Sequence, residues 1–289
     1  MDQLKLAAEL LPLAWRPACG CALPPDTEEI RLRVGRAPTY LSRGEERCLC
    51  GSQVAEEDLL RILEKATGAS MHTAAPTLAQ GFVSYRGIRI GVCGNGVEEK
   101  GRLGGMRSVT SLCIRIARAC PGICAEAARQ LLERGFANTL ILGRPGDGKT
   151  TALRELIRVL ADAGRRISVV DERNELAAYD GPKAAFDLGR CSDVLTGVPK
   201  NEGILMLLRA MNPEILAMDE ITKPADAEAA LQAIGCGVGI LASAHASNPD
   251  ELWKRPVYRE LLQAQVFSQC LRIRRQGAAR IYSLEKISA

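Results

Sequence analysis

The chain has 289 residues, 38 of them basic and 34 acidic, with 47% hydrophobic and 25% charged residues and a formal net charge of +4. That is the composition of an ordinary globular protein of about two domains, and it excludes a collagenous or intrinsically disordered chain. So mild a charge is no argument for nucleic acid, and with aromatics at only 4% a platform for stacking single-stranded bases is poorly supplied.

Residues 2–14 have the apolar spacing of a short amphipathic helix that Pro12 should end or bend. The start, M-D-Q-L, lacks the basic region of a secretory signal, and no apolar run is long enough to span a membrane; peripheral attachment stays open. Residues 28–34 alternate strictly, with Ile30, Leu32 and Val34 on one face and Arg31 and Arg33 on the other, as in a half-buried strand. A solvated outer face is the plain reading of those arginines; contact with a neighbouring subunit or an anion is the functional one. The eleven cysteines are odd in number and scattered, which fits reduced thiols in a cytosolic protein. Cys19–Cys21 and Cys48–Cys50 form C-x-C pairs; ordinary thiols are expected there, with structural zinc the alternative.

Ser52 is placed to cap a helix running to about Ala66, closed by Gly68. A second short helix is expected over 72–80, then paired strands with tight turns over 81–96, a charged glycine-rich loop over 98–105 and a further strand over 109–118. Pro121-Gly122 punctuates the chain. The expected division is therefore a small α+β domain at 1–121 and a second domain at 122–289.

After a helix at 123–134, the short apolar run 139–142 leads into Gly143-Arg144-Pro145-Gly146-Asp147-Gly148-Lys149-Thr150-Thr151, which reads G-x-x-x-x-G-K-T and opens a helix with Leu153, Leu156, Ile157 and Leu160 on one face. Strand, glycine loop and helix are what phosphate binding requires. Glycines let backbone N–H groups close around the phosphates, and the helix N-terminus adds the positive end of its dipole. All nine residues 143–151 are candidate nucleotide contacts. Lys149 would reach the β- and γ-phosphates, and the Thr150 hydroxyl would hold Mg²⁺.

Beyond it strands and helices alternate: a β-run at 166–173, an apolar helix at 201–211, a buried strand at 214–220, a helix at 225–234 and a strand at 239–244, with two tail strands around Gln276-Gly277. That alternation implies a mostly parallel sheet with helices on both faces. Asp219-Glu220 end their strand in a Walker B pattern, where Asp219 would hold Mg²⁺ through water and Glu220 would orient or deprotonate the attacking water. Asp171 and Glu172 end the strand that intervenes in sequence between the two Walker motifs; a solvated turn is the plain alternative to a place at the ligand crevice. His245 ends the next strand, where it could sense the γ-phosphate or serve the fold alone.

Walker A, an acidic station, Walker B and a His station, in this order, resemble the type II/type IV secretion ATPases, a RecA/AAA-like division of P-loop NTPases, and most closely their endospore member. The likeness is carried by residues 29–36 (E-I-R-L-R-V-G-R), 86–94 (R-G-I-R-I-G-V-C-G), 111–118 (S-L-C-I-R-I-A-R), 138–151, 169–178 (V-V-D-E-R-N-E-L-A-A), 213–220 (P-E-I-L-A-M-D-E) and 243–246 (S-A-H-A). Ala246 stands where glycine is expected, and Ile221-Thr222 where Ile-Gly is expected. The resemblance implies a C-terminal RecA-like P-loop domain behind a smaller N-terminal α+β domain. It also implies ATP and Mg²⁺, a homo-oligomeric ring, usually a hexamer, and a cytoplasmic motor peripheral to a membrane. That motor would work on the mother-cell side with platform or channel proteins of a sporulation apparatus and without nucleic acid. It implies further that an arginine on a first-domain strand reaches the phosphates; Arg89 and Arg115 match, with Arg118 behind them. A RecA-like ATPase dependent on nucleic acid, its strand channel lined by Arg31, Arg33 and Arg36, is the rival reading, and a non-catalytic nucleotide-gated scaffold the second.

Overall fold

The computed structural model describes residues 3–16, 23–68, 78, 81–99, 102–276 and 279–287. The Cys19–Cys21 pair and, Leu78 apart, the helix expected at 72–80 lie outside the described residues. The chain divides into two compact units, Met1–Arg118 with Ala178–Ala185, and Ala119–Ala177 with Phe186–Ala289. The boundary thus falls three residues before the expected 121, and an eight-residue segment of the later chain groups with the first unit.

The first unit begins with α1 (Gln3–Leu10), followed by a 3-10 turn at Leu13–Trp15 as Pro12 requires. Its sheet is antiparallel: β1 (Thr27–Arg33), β2 (Thr39–Ser42), β3 (Glu45–Cys48), β4 (Phe82–Tyr85), β5 (Ile88–Glu99) and β6 (Arg102–Arg115), in the order β3-β2-β1-β6-β5-β4. Ile30, Leu32, Ile88, Ile90, Leu112 and Ile114 alternate onto one face and pack with α1 and with Leu59, Ile62 and Leu63 of α2 (Glu56–Ala66). Two expectations are corrected here. The cap of α2 is at Ala55, whose N–H donates to Asp58 Oδ2 at 3.0 Å, so Ser52 is not the cap. The stretch at 98–105 is largely strand, because β5 and β6 pair out to Glu99 and Arg102.

The second unit continues with α3 (Ala125–Glu133), β7 (Thr139–Gly143), α4 (Lys149–Asp162) and β8 (Ile167–Asp171). The hairpin of β9 (Tyr179–Asp180) and β10 (Lys183–Ala184) belongs to the first unit. Then come β11 (Ser192–Thr196), α5 (Lys200–Ala210), β12 (Ile215–Met218), α6 (Pro224–Gly235), β13 (Gly239–His245), α7 (Asp250–Trp253), α8 (Pro256–Gln263), β14 (Gln269–Gln276) and β15 (Ala279–Lys286). The strand order is β11-β8-β12-β13-β7-β14-β15, parallel throughout except for β15. Strands β7, β8 and β12 are buried along their whole length, as continuous apolar runs covered on both faces must be. The fold class is α/β with a mostly parallel sheet, as the alternation of strands and helices implies.

Sequence order and spatial order differ in one respect that matters. β8 intervenes between the two Walker strands in sequence, but in the sheet β13 lies between β7 and β12. The histidine at the end of β13 is therefore carried to the gap between the P-loop and the Walker B acids.

Candidate active site

The loop from Gly143 to Gly148 joins β7 to α4. Gly146 and Gly148 adopt φ of +80° and +97°, left-handed values that a side chain would strain. A Cβ on Gly143 would sit 3.2 Å from Asp147 Cβ and 3.3 Å from Lys149 Cγ, so the loop also needs a bare backbone where it leaves the strand. Asp147 is buried; its Oδ2 accepts from the Arg144 N–H at 2.7 Å and closes the loop on itself.

Lys149 is only 6% exposed. Its Nζ donates to the Arg144 carbonyl at 3.1 Å and lies 2.7 Å from His245 Nδ1. An ammonium has no lone pair, so Nδ1 accepts and the ring proton sits on Nε2. Nε2 faces Glu220 Oε2 at 3.2 Å, and Arg255 approaches the other oxygen at 3.8 Å. Burial pushes the Lys149 ammonium below its usual pKa, against the pull of Glu220, Asp219 and Asp147. Asp219 accepts from Ser243 Oγ at 2.5 Å, and the buried Tyr258 hydroxyl donates to the Ser243 carbonyl at 3.3 Å. The structure therefore brings Walker A, Walker B and the His station into one line, Lys149–His245–Glu220, with Asp219 held beside it.

The acidic station is built differently. Asp171 is 3% exposed. Its carboxylate accepts the N–H groups of Glu175, Leu176 and Ala177 at 2.8, 2.9 and 3.0 Å. Both oxygens are thus engaged in folding the loop that follows β8. Burial raises its pKa to about 6 and the N–H bonds oppose that rise. Glu172 is taken by the buried Lys200, whose Nζ is 2.6 Å from Oε2. Burial acts to raise the Glu172 pKa, but the Lys200 hydrogen bond and charge, joined by the charges of Lys223 and Arg173, together leave the carboxyl below its usual value.

Arg89 and Arg115 lie in the first unit. Ile90 pairs with Ile114, so the two arginines sit side by side on β5 and β6, on the face opposite the core. The Arg89 guanidinium stands 4.1 Å over the Phe82 ring, and Arg115 Nε is 3.9 Å from Glu29 Oε1. Arg118 donates to the Thr27 carbonyl. Arg31 and Arg33, considered for a strand channel, are held by Glu29 at 2.7 Å and Glu46 at 2.6 Å. Cys48 Sγ donates to the Cys50 carbonyl at 3.1 Å.

Three residues that motif spacing does not show stand close to the stations. Arg154, buried on α4, stacks 4.0 Å over Phe186. Burial lowers its pKa to about 10, while the charges of Asp171 and Asp219 act to raise it. Arg275 and Arg280 come from the C-terminal hairpin and reach the P-loop backbone. The R-I-R-R run at 272–275 offered only its density of charge as a signal.

Mg²⁺ at such a site is held by one or two carboxylates, substrate phosphates and water, so no dedicated cage is required. Among the described residues no three His, Cys, Asp or Glu side chains converge as one. Thr150 in the first turn of α4 and Asp219 at the end of β12 are chemically suited to it.

Residues 22–282 match the family described as Sporulation stage III, protein AA. The stage III sporulation protein AA of Bacillus subtilis (strain 168) is 36% identical over 257 residues, covering 86% of this chain and 83% of that protein. Among solved structures, the pilus retraction motor PilT with bound ADP superposes with a TM-score of 0.64 at 15% identity, over 99% of this chain and 83% of that one. The Legionella pneumophila ATPase DotB gives 0.61 at 14% identity, over 98% of this chain and 79% of that one. At these identities the likeness is one of fold.

Proposed function

The chain belongs to the family of stage III sporulation protein AA, and from that membership and the site geometry we propose a Mg²⁺-dependent ATPase motor that powers a membrane-associated secretion or feeding channel in endospore formation. The observation that carries the reading is the line Lys149–His245–Glu220, with contacts of 2.7 and 3.2 Å. It joins the residue suited to the γ-phosphate to the carboxylate suited to the attacking water.

In this reading Glu220 orients and deprotonates water, and His245 fixes the direction of the Glu220 carboxylate and relays the position of Lys149 to it. The glycine loop binds the phosphates through its N–H groups, and Lys149 balances their charge. Mg²⁺, held by Thr150 and Asp219, would neutralise charge on the β- and γ-oxygens. Asp171 acts by holding the 174–177 loop, and Glu172 by its pair with Lys200. ATP is preferred to GTP because the chain has no N-K-x-D guanine motif. The working form in this proposal is a hexameric ring, peripheral to a membrane on the cytoplasmic, mother-cell side and docked on platform or channel proteins.

Glu220→Gln tests the chemistry. ATP turnover should fall by about 100-fold or more, while the affinity for a fluorescent ATP analogue stays within about threefold. Equal turnover in the two proteins would remove Glu220 as the base.

A further inference from the structure

β14 pairs in parallel with β7 and places Arg272 opposite Leu142. The P-loop begins just beyond Leu142, so β14 continues alongside it. Arg275, three residues further on, stands about 10 Å past that pair at the usual strand rise. β15 turns back and sets Arg280 directly opposite Arg275. Two guanidinium groups are thereby delivered to the P-loop from an element with no nucleotide-binding motif.

Their contacts are specific. Arg275 Nε donates to Asp147 Oδ1 at 3.0 Å, and its NH2 donates to the Gly146 carbonyl at 2.7 Å. Arg280 NH2 donates to the same carbonyl at 3.4 Å. Its Nε lies 3.7 Å from where a Cβ on Gly148 would be. Asp147 thus bridges the hairpin to the loop, since its other oxygen holds the Arg144 N–H. Arg272 leaves the opposite face of β14 and donates to the Ser247 carbonyl at 2.7 Å. Ser247 in turn accepts from Arg144 Nε at 3.0 Å. The one strand therefore grips the phosphate end of β7 on both sides, through the P-loop and through the segment after His245.

We propose that the C-terminal hairpin is a clasp on the P-loop, with Arg275 and Arg280 as positioning residues for nucleotide binding. The proposal rests on the nucleotide-site reading above. A glycine loop is conformationally permissive, and its N–H groups bind phosphates only when they converge. A bidentate guanidinium on the Gly146 carbonyl and the Asp147 carboxylate fixes the loop from its outer side and leaves the N–H groups for the phosphates. Two guanidiniums face one carboxylate, so the clasp also carries an excess positive charge beside the loop, which an anionic ligand offsets.

The test is the affinity of the full chain for fluorescent ADP and ATP analogues, with turnover measured at saturating ATP. Arg275→Ala should raise both dissociation constants on the order of tenfold, because the cradle of the α- and β-phosphates is common to the two, and leave kcat within about twofold. Arg275→Lys keeps the charge but cannot span both acceptors, so it should bind several-fold more weakly than the unaltered chain even if the alanine variant folds poorly. Unchanged affinity in Arg275→Lys and Arg275→Ala, with the unaltered chain binding normally, would overturn the clasp. Failure of the unaltered chain to bind either nucleotide would overturn the nucleotide-site reading itself.

Discussion

At the scale of single residues, the two stations that end in acids do different work, and the difference lies in where their oxygens point. Glu220 presents a partly exposed carboxylate to His245 and Arg255, whereas Asp171 turns inward onto three backbone N–H groups. Strand-end acids look alike in sequence; only the loop that follows decides which way the oxygens face. Burial outweighs those N–H bonds and sets the Asp171 pKa near 6, above its ordinary 3.8. A carboxyl whose folded pKa is raised holds its proton more tightly in the folded chain. The stability this gives is full below about pH 4 and is lost as pH rises through 6, with a ceiling of about 3 kcal/mol. Asp171→Asn does not titrate. Its melting temperature relative to the unaltered chain should therefore rise between pH 4 and pH 7, by about 5 °C or more. A difference that stays flat across that range would show that Asp171 does not titrate there.

At the scale of elements, strongly patterned stretches were legible and edge elements were not. Helices α4, α5 and α6 and strands β7, β8, β12, β13, β14 and β15 fall within a few residues of their expected places, because continuous apolar runs, glycine stops and Pro213 mark them. Strands β2, β3 and β11 escaped notice because each is short: β2 and β3 have 4 residues, β3 being exposed throughout, and β11 has 5 residues at a sheet edge with only the adjacent Val194 and Leu195 as its apolar run. The β9–β10 hairpin escaped for another reason. Its place is set by tertiary contacts with the β4–β5 turn, where Arg86 and Gly87 both take left-handed φ, +47° and +81°, as a two-residue hairpin of type I′ requires. Arg86 Nε donates to Asp180 Oδ2 at 3.1 Å. A Cβ on Gly87 would come within 2.6 Å of the Ala178 carbonyl oxygen. Gly87→Ala should therefore both strain the turn and push the hairpin off it, costing about 1–3 kcal/mol. Amide exchange at 178–185 should rise far more than at β7 or β12; equal protection in the two proteins would show that the hairpin is held by other contacts.

For the whole molecule, four motif stations in chain order were enough to reach the RecA-like fold and the family, but not the C-terminal clasp. Motif spacing reports residues that touch the phosphates through a common backbone geometry. Arg275 and Arg280 reach the loop through a register between β14 and β7 that no local pattern encodes. The arginines of the first unit pose the reverse case: Arg89 and Arg115 come from the resemblance, and the structure sets them side by side on one sheet face. In the proposed phosphoryl-transfer reading Lys149 serves the phosphates and Arg255 stands 3.8 Å from Glu220, and an arginine from a first-domain strand would add positive charge for the leaving and transferred oxygens. On that argument Arg89→Ala with Arg115→Ala should lower ATP turnover by about 100- to 1,000-fold. Nucleotide affinity should change little, and the particle mass, measured with and without ATP, should be unaltered. The single variants then assign the finger, since the arginine that acts carries nearly the whole loss. Undiminished turnover in the double variant, with its oligomer intact, would place that charge elsewhere, and Arg255, already 3.8 Å from Glu220, would be the next residue to replace.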